Sequence, residues 1–293
     1  MTTHTEAEIA SQPDCWRRAA GMVPADALPQ RGERVAVVGC GTSWFIAQAY
    51  AALREGAGHG ETDAFAASEA PLGRGYDSVV AITRSGTTTE VLDLLGALGS
   101  AGPRSVVLTA VASSPAVDAA DQSIVLDFAD ERSVVQTRSA TSALALLRAH
   151  LGHDLGPVVA DGEKALAEPL DGLTGIDQAT FVGRGWTVGL AHEAALKLRE
   201  SAQFWAEAYP AMDYRHGPVS IAQPGRLVWS FGPLPDGLEE QVAATGATVV
   251  TSDLDPMAQL VVAQRLAVAL AEARGLDPDH PRHLTRSVVL PGR

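Results

Sequence analysis

A chain of 293 residues with 46% hydrophobic and 19% charged residues has the make-up of a folded globular protein, long enough for one large core or two modest ones. Its formal net charge of −13 leaves no basic surplus to neutralise a phosphate backbone, which argues against a nucleic-acid partner, while a few local donors suffice for a small anion. Two scattered cysteines, Cys15 and Cys40, with no Cys/His cluster at metal-ligand spacing, argue against a disulfide framework and a structural zinc site, and no cofactor is expected.

In chain order, the first segment, residues 1–30, reads as helical, and it lacks the basic start and apolar core of a secretory signal. The apolar runs that follow are short and broken by Gly, Pro or charge, so no membrane span is expected and the location expected is cytoplasmic. Arg34–Gly41 (RVAVVGCG) reads as a buried strand, a tight turn and the start of an Ala-rich helix. Strand-like runs at Ser78–Thr83, Ser105–Thr109 and Ser123–Leu126 each precede a helix-like stretch, and the polar stretch His150–Pro157 is the candidate linker. Ala179–Gly185 (ATFVGRG) then repeats the opening: Gly39, Gly41, Ala47 and Ala51 match Gly183, Gly185, Ala191 and Ala195 at one constant offset, and LRE at Leu53–Glu55 recurs at Leu198–Glu200 with one extra residue. Leu227–Gly232 and Ala247–Ser252 read as strands, Met257–Arg274 as a helix, and Ser287–Gly292 as a last strand or a tail crossing to the other lobe. Such a duplication with alternating strands and helices predicts an α/β protein of two similar three-layer α/β/α lobes, each a parallel sheet flanked by helices: lobe one over 31–153, lobe two over 154–293.

Two strand-to-helix turns in the first lobe carry donors. In GCGTS, Gly41 lets backbone approach a ligand and Thr42 and Ser43 add hydroxyls at a helix N-terminus; an ordinary capped turn reads the same way. The second turn crowds Thr83, Arg84, Ser85, Gly86, Thr87 and Thr88 ahead of an amphipathic helix with Glu90 early in it. A phosphate needs donors and little else, and two such turns at adjacent strand ends suit one better than surplus caps do. Neither is GxGxxG or GxxxxGK[ST], which disfavours a dinucleotide or nucleotide site.

GCGTS, TRSGTTTE and the Ser/Thr-rich SVVQTRSATS (Ser133–Ser142) together resemble the SIS family of phosphosugar-binding domains. Phe181–Pro218, Asp277–Leu290 and the opening Glu8–Arg18 are similar to the isomerase domain of glucosamine-6-phosphate synthase, so the resemblance covers nearly the whole chain as tandem SIS domains. It implies a sugar 6-phosphate held by Gly41, Thr42, Ser43, Thr83, Arg84, Ser85, Gly86 and Thr88. It further implies Val135, Gln136 and Glu193 at the sugar, Glu200 as catalytic base and His216 as the ring-opening group. That histidine reaches the site from a neighbouring subunit in the family, so a homodimer is implied.

Read from the residues, Glu193, Lys197 and Glu200 fall on one face of one helix, where a carboxylate needs a partner and Lys197 is available; a structural tie and a catalytic base both fit. His216 precedes a Gly-Pro turn, which suits an exposed tip. Four departures bear on the reaction. No glutaminase segment or N-terminal cysteine nucleophile is seen, so a complete synthase is not expected. Arg84 replaces a glutamine of the synthase-like pattern, placing an extra charge at the phosphate. Arg286 stands where the resemblance puts the Schiff-base lysine, and a guanidinium stays protonated and forms no imine; it suits stabilising an enediolate oxygen or the phosphate. SVVQTRSATS is closer to stand-alone isomerase-deaminases of the tagatose-6-phosphate type. The expectation is an isomerase or isomerase-deaminase on hexose or hexosamine 6-phosphates, against a lyase that dehydrates an N-acetylhexosamine 6-phosphate and a non-catalytic sugar-phosphate sensor.

Overall fold

A computed structural model describes residues 2–23, 25–99 and 101–291. Helix α1 (His4–Ala10) opens on a reciprocal cap: the Thr3 hydroxyl accepts from the Glu6 N–H and the Glu6 carboxylate accepts from the Thr3 N–H. There follow α2 (Gln12–Ala20), β1 (Val35–Gly39), α3 (Thr42–Gly56), β2 (Thr62–Ala66), β3 (Ser78–Ile82), α4 (Thr89–Leu98), β4 (Arg104–Thr109), α5 (Pro115–Ala119), β5 (Gln122–Val125) and α6 (Arg138–His150). After a short connection come α7 (Gly156–Ala165), β6 (Gln178–Gly183), α8 (Thr187–Ala202), β7 (Ala206–Pro210), β8 (Arg226–Phe231), α9 (Leu238–Ala243), β9 (Thr248–Val250) and α10 (Pro256–Ala273).

The chain divides into two compact units. The first lobe holds Asp14–Leu155 together with the tail from Thr285, and the second holds Gly156–Leu284 together with the chain up to Pro13. In the first lobe five parallel strands run in the order β2-β1-β3-β4-β5, and in the second four run β7-β6-β8-β9. The central strands β1, β3 and β6 are buried along their whole length, which is why they appear in the sequence as largely apolar runs, with Ser78, Gln178 and Thr180 as buried polar exceptions. The edge strands β2 and β7 escape the sequence reading, because TDAFA and AEAYP are mostly half-buried and carry no such run.

The repeat is written into backbone geometry. A Cβ on Gly39 would lie 2.6 Å from the Ser43 carbonyl carbon, and one on Gly183 would lie 2.5 Å from the Thr187 carbonyl oxygen, so in both lobes the helix packs on the bare end of the strand. Gly41 and Gly185 follow with φ of 53° and 54°, turning each chain into its helix through the left-handed region. The LRE arginines also correspond: Arg54 donates to Thr62 Oγ1 at the start of β2, and Arg199 donates to the Ala206 carbonyl at the start of β7.

Residues 287–291 form no strand. The Thr89 N–H donates to the Val288 carbonyl and the Leu290 N–H to Thr89 Oγ1, so the tail lies over the start of α4; Gly292 is outside the described residues. Among the described residues no helix is long and apolar enough to cross a membrane.

Candidate active site

In the first lobe β3 delivers the chain to the donor-rich turn, which β4 holds from beside: the Thr83 N–H donates to the Leu108 carbonyl, and the Ala110 N–H and Thr109 hydroxyl both donate to the Arg84 carbonyl. Gly86 is obligatory there. Its φ is +64°, and a Cβ would collide with the Ser114 side chain. Thr88 begins α4 without a side-chain cap, and Thr42 begins α3 after Gly41. Ser43, Thr83, Arg84, Gln136 and Ser139 line one crevice, of about 10 Å³, room for roughly one water. The hydroxyls beyond it are engaged: Ser85 Oγ accepts from the Thr87 N–H and hydroxyl, and Thr87 Oγ1 bonds Ser287 Oγ of the tail at 2.9 Å. The structure therefore gathers Ser43, Thr83, Arg84 and Gln136, and it closes the Ser85–Thr88 bend beneath residues 286–290.

Arg84 reaches the crevice with its charge already compensated. Its guanidinium donates to the carbonyls of Ser133 (3.0 Å), Val134 (3.1 Å) and Arg286 (2.7 Å), and it lies 3.5 Å from the Glu131 carboxylate, both side chains being almost wholly buried. Burial pulls the guanidinium below its usual value and Glu131 opposes that shift. Arg286 reaches the same loop from the tail, donating to the Glu131 carbonyl and pairing with Asp130. Val135 is buried, its carbonyl accepting from Ser133 Oγ.

Glu131 is the residue that sequence reasoning missed. One oxygen accepts from the Thr137 N–H (2.6 Å), the Arg138 N–H (2.7 Å) and the Thr137 hydroxyl; the other accepts from Ser139 Oγ (2.7 Å). A buried carboxylate thus occupies the N-terminus of α6 and faces Arg84. The only signal was an acidic residue six positions before a Ser/Thr-rich helix start. Cys40, inside GCGTS, is pushed up to about 11 by burial and by the Glu90 carboxylate, with a backbone bond from Ala67 opposing.

In the second lobe α8 brings Glu193, Lys197 and Glu200 together. Lys197 Nζ lies 3.4 Å from Glu193 and 2.6 Å from Glu200; Glu193 and Lys197 are fully enclosed, and the Glu200 side chain keeps 20% of its surface. A buried ammonium between two carboxylates holds its position, and Glu200 is the partly exposed end of that chain. The repeat sharpens the contrast. Glu55, the matching residue of the first lobe, accepts from the Thr62 N–H and simply ties helix to strand, and the position matching Glu193 there is Ala49. His216 ends an exposed single turn, Asp213–His216, anchored by the buried Tyr214 and followed by Gly217 at φ 135°. Burial, and then the charge of Arg199, lower the pKa of His192 on the same helix.

Comparison with known proteins gives this arrangement its class. Residues 30–151 match the SIS domain, and that match falls within the first lobe. Along most of its length the chain is homologous to glutamine–fructose-6-phosphate aminotransferase (isomerizing), for example that of Sulfurisphaera tokodaii: 26% identity across 89% of the chain and 51% of the relative. It spans about half the length of the aminotransferases it matches. Among solved structures it is similar to glucosamine-6-phosphate deaminase from Thermotoga maritima, with TM-score 0.83, 25% identity and coverage of 98% of this chain and 100% of that one. The fold is also that of the C-terminal domain of glucosamine-fructose-6-phosphate aminotransferase from Francisella tularensis, with TM-score 0.80, 21% identity and coverage of 96% and 99%.

Proposed function

We propose that the chain is an enzyme that opens the ring of a hexose or hexosamine 6-phosphate and moves a proton at C2, as an isomerase or isomerase-deaminase. The observation that carries this reading is the Glu193–Lys197–Glu200 chain, which holds one partly open carboxylate beside a buried ammonium, where the matching first-lobe residue is only a tie. Ser43, Thr83, Ser85 and Thr88 are the phosphate donors in this reading. A phosphate ester needs more room than a single water, so binding requires residues 286–290 to withdraw from the bend.

His216 takes the anomeric proton and returns it to the ring oxygen, releasing a C1 aldehyde. Glu200 then removes the C2 proton, which the adjacent carbonyl acidifies, and delivers it to C1. With a C2 hydroxyl the product is the ketose. With a C2 amine the product is a C2 imine, which water hydrolyses to ketose and ammonia. The likeness to a deaminase over its whole length favours the amine substrate. Arg286, protonated and paired with Asp130, forms no imine and serves in placing the tail. The exposed position of His216 fits its use by a second copy, so the reading includes a homodimer.

The test is glucosamine 6-phosphate against fructose 6-phosphate and N-acetylglucosamine 6-phosphate, followed by product mass and ammonia. Ammonia with fructose 6-phosphate is expected; loss of water from the acetylated sugar would instead assign a lyase, and tight binding without turnover a sensor. Glu200→Gln should lower kcat by about 10³-fold with KM changed less than about threefold, the signature of a lost proton-transfer group. Full activity in that variant would reject Glu200 as the base.

A further inference from the structure

Donors around the bend of the first lobe are met by oxygens of the chain's own tail. Arg84 Nη2 donates to the Arg286 carbonyl at 2.7 Å, the Thr89 N–H donates to the Val288 carbonyl at 3.1 Å, and Thr87 Oγ1 bonds Ser287 Oγ at 2.9 Å. Three successive tail residues therefore each set an oxygen against the bend or the first turn of α4. A guanidinium, a helix-terminal N–H and a hydroxyl are also the groups that a phosphate takes. The tail supplies the oxygens without the charge.

Arg84 is the donor whose bonding is incomplete. Its other carbonyl acceptors, Ser133 and Val134, lie in the loop before α6, and Glu131 faces it at 3.5 Å, so none of these departs with the tail. Its Nε is buried and has no hydrogen-bond partner among the described residues. Loss of the Arg286 carbonyl would leave a free N–H on Nη2 as well as on Nε, and neighbouring guanidinium nitrogens take two oxygens of one phosphate. The tail's remaining hold is easily replaced. Arg286 and Asp130 keep 35% and 41% of their side-chain surface, so water takes over their pairing at little cost. A charge-assisted bond to a dianion is stronger than a bond to a neutral carbonyl, which favours the exchange.

On the reading above that the bend takes the phosphate ester, we propose that residues 286–290 are a built-in competitor for it, with Arg84 as the contested donor. The guanidinium passes from the Arg286 carbonyl to phosphate oxygens as the tail leaves. The tail thereby lowers the affinity of the site, and a sugar without a phosphate has no charge to offer Arg84 and leaves the bend shut.

The experiment titrates inorganic phosphate and fructose 6-phosphate into the full chain, with fructose as the uncharged control. Affinity is read by calorimetry and the tail by hydrogen exchange at the Leu290 amide, which donates to Thr89 Oγ1 in the free chain. Saturating phosphate should speed that exchange by about tenfold and leave β3 slow, while fructose changes neither. Arg286→Ala with Ser287→Ala, which removes the contacts of the tail with Asp130 and Thr87, should bind phosphate about fivefold tighter, because more of the chain is then open. Arg84→Gln should weaken phosphate by about tenfold and erase most of that gain. The tail pair keeps the test decisive if the buried Arg84 variant fails to fold. Phosphate binding with Leu290 exchange unchanged or slowed, or a tail pair with no gain in affinity, would overturn the competition while the bend keeps its phosphate role. No binding of either phosphate up to about 10 mM, in the native chain and in the tail pair alike, would overturn that role and the competition with it.

Discussion

Cys40 sits between Gly39 and Gly41 at the end of β1, in the motif that gave the first hint of a ligand turn. The surroundings of this thiol disfavour its ionised, reactive form. Burial first, and the Glu90 carboxylate second, raise it from 9.0 to about 11, so the neutral thiol is favoured in the fold. Stability contributed by this preference is complete below the unfolded value and fades as pH rises toward about 11. At a pH below both values the thiolate fraction drops by about a hundredfold, so iodoacetamide should label Cys40 at least about a hundredfold slower in the native chain than in urea. Peptide mass mapping separates it from the buried Cys15; equal native and unfolded rates at Cys40 would show that the motif is open. Glu55 and Glu200 teach the same lesson in reverse, since identical letters at matching places serve as a strand tie in one lobe and as the open end of a charge chain in the other.

At the scale of elements, α6 depends on a residue outside itself. Glu131 satisfies the Thr137 and Arg138 N–H groups that the helix leaves unpaired, and it compensates Arg84 from full burial. Glu131→Gln keeps the size but removes the charge and half of the accepting capacity, leaving a buried guanidinium partly uncompensated. The expected loss is about 3 kcal/mol of unfolding free energy, read from the urea midpoint. Arg84→Met combined with Glu131→Met should lose less than the two single losses added together, because neither charge is then stranded. Additive losses would mean the pair is not coupled. This also marks where legibility ended. Continuous apolar runs revealed the central strands, and helical spacing placed Glu193, Lys197 and Glu200 on one face, because both signals are local. The half-buried edges β2 and β7 carry no such run. The role of Glu131 depends on Arg84, 131 − 84 = 47 positions earlier in the chain, and no local pattern encodes that pairing.

For the whole molecule, the chain passes between its two units near Pro13, Leu155 and Leu284, so the last residues return to the lobe that the first strand began. The returning tail is fastened by polar bonds: Arg84 to the Arg286 carbonyl, Arg286 to Asp130, Thr87 to Ser287, and the Thr89 N–H to Val288. Its apolar side chains contribute little, since Val288, Val289 and Leu290 are 52%, 63% and 45% exposed. A segment held by a few hydrogen bonds and little buried apolar area opens at low cost, well below global unfolding. The amide of Thr89 should therefore exchange with deuterium far faster than those inside β3. Deleting residues 285–293 should remove this protection, raising its exchange rate by about tenfold or more, because the Val288 carbonyl that accepts from it lies in the tail. The same deletion should leave β3 slow, since that strand is paired on both sides by β1 and β4. If Thr89 instead exchanges as slowly as β3 in the intact chain, the tail is a fixed part of the lobe, and a phosphate ester could not enter beneath it.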